Sequence, residues 1–586
     1  MLRIVRVGAV MTGLTLLGGC QSVEPASSIA IAPPQPAAAS AEADKAPGIS
    51  MERMSEITRV LASDAFEGRS MGTPGEARTT AYLIEQFKAA GLEPGGQDGG
   101  WTQAVPMIRT KLQSPQLALQ QGSTRTPLSF PGDIYLSTVR DTQAAEIAGA
   151  PIVFVGYGTS APERGWDDFK GVDLKGKVAL FLVNDPDFEA ASGEPVAGKF
   201  GGKTMTYYGR WTYKFEEAAR RGAIGAIIVH ETEGAGYGWN VVQSAGGENF
   251  NIVLPRGATQ PVLLQGWMQQ AAAEAMLKRA GYDYATLKRQ ARSTAFRPID
   301  LKARFVAKAG VELERIQSQN VIGKLTGSRF PDETVSYSGH WDAYGLGAPD
   351  TQGRTVRPGA ADDALGLAAM IEIARRFAGG KRPERSLVFA AWTAEERGLL
   401  GSEYYAQNPL YPHEKMVANL TLDTLQWAGP TRDTVLIGQG QSEMERYLEE
   451  GARAQGRTVT PESKPERGLF YRADHFTLAK RGVPVLLSMA LAGAYDLQEG
   501  GRPAGERWLE EFTGKCYHQT CDAWAPTWDL RGALQEADLY YAIGERLANG
   551  RDWPRWNRGS EFWKVREDSA GMRGQTPVPQ GAGERG

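Results

Sequence analysis

From Pro298 to Asn549 strand-like and helix-like stretches alternate, and this constrains the chain more than any other feature. Such alternation argues for an α/β architecture with a mostly parallel central sheet flanked by helices. "ETVSYSGHWDAYGLG" places His340 and Asp342 just after a β-rich run. "PGAADDALGLAAMIEIARRFAGG" puts Asp362 and Asp363 where a helix should start. Leu367, Met370, Ile371, Ala374 and Phe377 would form its buried face, and Gly379–Gly380 would end it. "RSLVFAAWTAEERGLLGS" is a strand followed by Glu395 and Glu396, and "MVANLTLDTLQ" is an apolar run with Asp423 near its end.

Acidic or histidine side chains thus recur just past apolar runs. In an open parallel sheet those points share one edge, where such folds bind ligands. Singly, each has an ordinary reading, because an Asp at a helix start is usually an N-cap and paired glutamates are usually solvated. Together they would repel or lie unpaired unless a cation held them.

The other segments set the frame. A chain of 586 residues is too long for one simple core, so two or more domains are expected. A formal net charge of −3 gives no basic excess that would point to nucleic acid. Residues 1–20, "MLRIVRVGAVMTGLTLLGGC", have Arg3 and Arg6, then an apolar stretch and small residues, as in a secretory signal. Its end, "LLGGC", resembles the bacterial lipobox, which implies lipidation of Cys20 and a membrane anchor. Ordinary cleavage nearby, or an uncleaved anchor, is the other reading. Gln21, rather than Asp, follows Cys20, which by analogy with sorting rules favours an outer membrane in a cell that has two. No later segment approaches 18 uninterrupted apolar residues. Residues 21–48 are an Ala/Pro-rich tether. Residues 49–138 contain "GEARTTAYLIEQFKAAGLEP", read as an amphipathic helix with Ala81, Ile84, Phe87 and Leu92 on one face. Residues 139–297 hold short apolar runs between Gly-rich turns, and 550–586 read as a loosely docked tail.

"HWD", "GAADDALG", "AEERGLLGS", "LTLD" and "YHQTCD" occur in the order of the co-catalytic zinc peptidase family. That family includes secreted bacterial aminopeptidases, aminopeptidase Y and glutamate carboxypeptidase, and the chain resembles it over most of its length. The opening "LASDAFEGRSMGTPGEARTTAYLIEQFKAAGLEP" is similar too. The 139–297 block resembles a β-rich protease-associated domain inserted into the peptidase domain, whose two parts would be 49–138 and 298–549.

The resemblance implies two Zn²⁺ ions: one held by His340 and Asp423, the other by Glu396 and His518, with Asp362 bridging them. Glu395 would be the general base, Asp342 would orient His340, and Tyr517 would donate to the developing oxyanion. The family's Asp362–Asp363 peptide is often cis. His475, in "YRADHFTLAKRGVPVL" with Ala473 where the family has Ser, falls in a segment that usually lines the substrate pocket, which implies a place near the substrate with a supporting or packing role as the default. Cys516 and Cys521 bracket Tyr517 and His518, and in an oxidising compartment a disulfide between them would brace that loop; the alternative makes them zinc ligands. The implied activity is that of an aminopeptidase acting on peptides. A carboxypeptidase or dipeptidase, a glutaminyl cyclase and a non-catalytic receptor-like relative share the scaffold. A carboxypeptidase needs Arg or Lys near the substrate carboxylate; Arg354, Arg357, Arg472 and Arg481 flank the motifs without being placed by them. Oligomeric state and the role of the inserted block stay open.

Overall fold

A computed structural model describes residues 48–243 and 247–573. The signal segment with Cys20, the tether up to residue 47 and the tail past residue 573 lie outside the described residues.

Strands buried on both faces form the catalytic half. Arg385–Trp392 and Met416–Leu422 are buried at every position, which is why they read as continuous apolar runs. The spatial order is Val485–Ser488, Met416–Leu422, Phe330–His340 and Arg385–Trp392, all parallel. The helix Leu365–Ala378 packs its predicted apolar face into this core and ends at Gly379. Its buried Glu372 is held 2.8 Å from Arg53 of the N-terminal helix Met51–Leu61. The helix Arg531–Asn549 lies on the same core at very short range: a Cβ on Gly544 would sit 1.6 Å from the Tyr337 hydroxyl.

The 27-residue strand Ile299–Leu325 joins this half to a second one. Its last residues pair antiparallel with Arg385–Trp392, its length pairs with Thr102–Gln121, and its first part pairs with Ala144–Phe154. Beyond lie the parallel strands Val178–Phe181, Gly225–His230 and Leu264–Gln269. Among the described residues the result is one mixed sheet of 14 strands. Along the joining strand Leu301, Ala303, Phe305, Ala307, Ala309 and Val311 are buried in alternation, one face to the second core.

Three expectations change. The second core draws in Leu112–Leu136 and Leu301–Val311, so its packing extends past both ends of the 139–297 block. In the helix Pro74–Ala89 the buried side is Thr79, Thr80, Leu83 and Phe87; Ala81 is exposed, because the threonine hydroxyls bond back into the helix and can face the core. The chain after residue 550 is firmly packed as far as it is described: Trp553, Trp556 and Phe562 are buried, and Arg566 donates to the Met416 and Val417 carbonyls.

Candidate metal centre

The C-terminal ends of the parallel strands deliver the site. His340 is the last residue of Phe330–His340, Asp423 follows Leu422, and Glu395 and Glu396 sit in a turn three residues past Trp392. Asp362 lies in the turn Ala360–Ala364 before the buried helix, and the Asp362–Asp363 peptide is cis. His518 comes from the 516–521 loop and holds φ at 63°, a left-handed backbone uncommon outside glycine. A Cys516–Cys521 disulfide with Cα atoms 4.9 Å apart closes the loop around it.

Five side chains converge in two sets that share Asp362. His340, Asp362 and Asp423 offer ligand atoms within 4.8 Å of one another, as do Asp362, Glu396 and His518. The two oxygens of Asp362 divide between the sets. Oδ1 lies 3.0 Å from His340 Nε2, and Oδ2 lies 3.2 Å from His518 Nε2. His340 Nε2 is 4.0 Å from Asp423 Oδ1, and His518 Nε2 is 3.3 Å from Glu396 Oε2. His518 Nε2 is buried yet makes no hydrogen bond, as expected of an atom aimed at a point between partners. Two imidazoles with three carboxylates form a donor set that suits zinc. Without a cation the cluster is costly. Burial and neighbouring acids push Glu395 and Glu396 well above the usual carboxylate range, and burial pushes Asp423 up to about 6. Burial alone would raise Asp362 too, but His340 and His518 outweigh it and hold it down.

Further carboxylates fix the loops that carry these ligands. Asp342, fully buried, accepts from the Glu395 amide at 2.9 Å and the Glu396 amide at 3.3 Å. Its carboxylate stands 3.7 Å from His340 Nδ1, while its main-chain oxygen stands at 3.1 Å. The His340 ring therefore meets the backbone of Asp342, and the carboxylate is occupied with the Glu395 turn. Asp363 accepts from the amides of His340 and Thr424 at 3.2 Å each and of Gly366 at 3.1 Å, tying three ligand segments together. Asp522 accepts from Ala361 and Asp362 at 2.9 and 3.2 Å. Burial raises Asp522 to about 7.

The sequence reading also missed Arg69. Fully buried, it donates to the carbonyls of Trp341, Leu61, Pro358 and Gly359 at 2.5–3.0 Å, bracketing both His340 and the Asp362 turn. Its signal was present in "EGRS", where Glu67, Gly68 and Arg69 all take positive φ, but no local pattern says what an arginine there reaches.

The Tyr517 ring lies tilted against His518 with centroids 3.6 Å apart, and the Tyr344 ring also lies tilted against it at 4.3 Å. Burial and the nearby Asp362 and Glu396 charges keep the Tyr517 hydroxyl protonated far above its ordinary range. A small cavity beside the cluster is lined by Tyr344, Arg357, Asp362, Glu396, His518 and Asp522 among others. His475 is not among its lining residues. It is fully buried, edge-on to Phe470 at 5.0 Å, and burial lowers it to about 3, an environment in keeping with a packing role.

These residues lie in a stretch that matches a known family. Residues 320–542 match Peptidase family M28. This segment belongs to that family of zinc metallopeptidases. The matched segment contains the five converging side chains together with Glu395 and Tyr517. A probable zinc metalloprotease of Pyrenophora teres f. teres is 40% identical over 103 residues, 18% of this chain and 22% of the relative. Aminopeptidase NAALADL1 of Mus musculus is 34% identical over 125 residues, 20% of this chain and 15% of the relative. The matched stretches thus span about a fifth of these relatives' length. An aminopeptidase from Aneurinibacillus sp. strain AM-1 aligns in structure over 88% of this chain and 97% of its own, at 20% identity and a TM-score of 0.45.

Proposed function

We propose that the protein is a zinc-dependent exopeptidase of the aminopeptidase type, releasing single residues from the free N-terminus of peptides with two Zn²⁺ ions bound. The observation that carries this reading is the pair of ligand sets sharing Asp362, with Glu395 next in sequence to Glu396 yet belonging to neither set. Held there, zinc would acidify a water molecule and polarise the scissile carbonyl.

The chain's own residues supply the rest. Glu395, fixed through its amide by Asp342, takes a proton from the attacking water and returns it to the leaving amine. The Tyr517 hydroxyl, kept protonated, donates to the carbonyl oxygen as negative charge develops on it. Asp363 and Asp522 hold the ligand loops against reorganisation. An exported enzyme anchored through Cys20, with the 139–297 block as a protease-associated insertion, completes the reading; the bracketing disulfide suits an oxidising compartment.

A panel of aminoacyl-amides set against the same peptides N-acetylated tests it. Free-amine substrates should be cleaved, acetylated ones left intact, and activity should vanish on chelation and return with zinc. Cleavage of the blocked peptide from its carboxyl end would replace the aminopeptidase reading with a carboxypeptidase one.

A further inference from the structure

Arg397 ends the turn Glu395–Arg397, directly after Glu396. The backbone around it is strained: Ala394 and Leu399 both lie in the left-handed region, at φ 54° and 62°, without being glycine. Such a turn holds its shape where its surroundings over-determine it. Hydrogen bonds supply part of that restraint. Asp342 accepts from the Glu395 and Glu396 amides, Asn320 Oδ1 accepts from the Thr393 amide at 3.1 Å, and Asn320 Nδ2 donates to the Gly401 carbonyl at 3.0 Å.

Aromatic rings supply another part. Arg397 Cζ stands 5.1 Å from the Phe250 ring centroid and 5.1 Å from that of Tyr344. Its Nε is buried and makes no hydrogen bond. Among the described residues its side chain forms no ion pair, although two glutamates precede it in the chain. Glu396 is turned towards His518 instead, at 3.3 Å. A guanidinium is drawn to the face of an aromatic ring and packs against it, being more weakly hydrated than an ammonium.

The two rings lead in different directions. Tyr344 lies 4.3 Å from the His518 ring and lines the small cavity with His518 and Glu396. Phe250 belongs to the second half of the molecule. It sits in the strand Glu248–Ile252, which pairs antiparallel with Thr102–Gln121, and it packs against the catalytic core. The ion pair of Glu248 with Arg109 at 2.7 Å ties that strand to its neighbour. A continuous run of contacts therefore goes from Phe250 through Arg397 and Tyr344 to His518.

His518 needs such support. A metal-binding imidazole is usually oriented by a hydrogen bond at its other nitrogen. His340 meets the Asp342 carbonyl in that way, at 3.1 Å. Among the described residues no protein group makes a hydrogen bond to His518 Nδ1, and its backbone is left-handed at φ 63°. Aromatic packing is what orients its ring.

We infer that Arg397 is a positioning residue for the zinc assigned to Glu396 and His518: seated against Phe250, it steadies the Glu396 turn and the Tyr344 ring that packs on the His518 imidazole. The inference rests on the ligand assignment above. Through Phe250 the second half of the molecule takes part in shaping the metal centre.

The test measures zinc per chain after dialysis of the zinc-loaded full chain against graded chelator. In Arg397→Leu the chelator concentration that removes one zinc should fall about tenfold, as when a group supporting a metal ligand is lost. Arg397→Lys should recover part of the loss, because an ammonium is still attracted to the rings. Phe250→Ala touches no ligand and should shift zinc release in the same direction. The double variant should lose no more than Arg397→Leu alone, since residues in contact do not act additively. In a His518→Ala background, where one zinc is already gone, Arg397→Leu should leave release of the other unchanged. Arg397 is only half-buried, so the Leu and Lys pair keeps the test intact should Phe250→Ala fail to fold. Wild-type zinc release in Arg397→Leu, additive losses in the double variant, or an equal shift in the His518→Ala background would overturn the positioning role while leaving the peptidase reading standing. Weakened zinc in the variants of a wild type that cleaves no peptide would keep the role and remove the peptidase.

Discussion

Arg69→Met isolates the contribution of a residue that touches no ligand side chain. The wild-type guanidinium satisfies four buried carbonyls, at Trp341, Leu61, Pro358 and Gly359. Methionine fills much of the volume but donates nothing, and each carbonyl left unpaired costs about 1–3 kcal/mol. Relief of the guanidinium's own desolvation, which burial makes the dominant influence on it, offsets part of this. Loss of the positive charge also leaves Asp522, Asp363, Asp342 and Asp362 less compensated. The net loss should be about 3–5 kcal/mol, in line with removal of one member of a buried charged network. At roughly 2 °C per kcal/mol for a large domain, the melting temperature should fall by about 6–10 °C. Because two carbonyls precede the Asp362 turn and one lies between His340 and Asp342, zinc affinity should fall about 10–100-fold, as it does when groups supporting metal ligands are lost. Arg69→Lys keeps the charge but cannot span the fork, and should fall between the two. Thermal melts and zinc retention on dialysis are the measurements. A methionine variant with wild-type melting temperature and zinc content would refute the reasoning, since the carbonyls would then need no donor.

Glu395→Gln should keep both metals and the fold but lose about 10²-fold or more in kcat; near-normal turnover with metals bound would remove Glu395 as the base. His518→Ala should lose the ion shared with Glu396, whereas His475→Ala should retain both, and metal analysis of the two proteins separates these outcomes. His475 should also shape the acid limb of stability. Its imidazole falls to about 3 in the folded state from an ordinary 6.5, so the unfolded chain binds the extra proton. Stability from this group is complete above pH 6.5 and drains away as pH falls towards 3, by about 1.4 kcal/mol per unit. In denaturant titrations at pH 7 and 5, the drop should be about 2 kcal/mol smaller in His475→Phe than in the wild type. Equal drops would mean that the folded imidazole takes up its proton in this window as the unfolded one does, and that burial does not depress it.

The residues legible in the sequence are those whose position is local. His340, Asp423, Glu395 and Glu396 stand at the ends of apolar runs, and strand ends can be read one at a time. The residues that hold them in place are different. Arg69 reaches carbonyls 272 to 290 positions away, and Asp522 reaches amides 160 and 161 positions away. Contacts at that separation leave no periodic trace. Ala81 was given a buried position because helical spacing weighs methyl groups, while the core took Thr79 and Thr80, whose hydroxyls are satisfied by the helix itself. The 139–297 bounds followed composition, which does not register that one strand pairs on both sides of the boundary.

That strand, Ile299–Leu325, makes the second half impossible to remove as a cassette. Excision of 139–297 would strip Ala144–Phe154 from residues 299–310 and leave Leu301, Phe305 and Val311 without the core they face. The strand still pairs with Thr102–Gln121, so the remnant would be a long ribbon with one greasy face, open along residues 299–310 and, where Glu248–Ile252 is lost, along Met107–Lys111, a template for aggregation. A shortened enzyme would have to be cut back on both chains of that ribbon together, near Lys111 and Glu312, where the two strands are still in register.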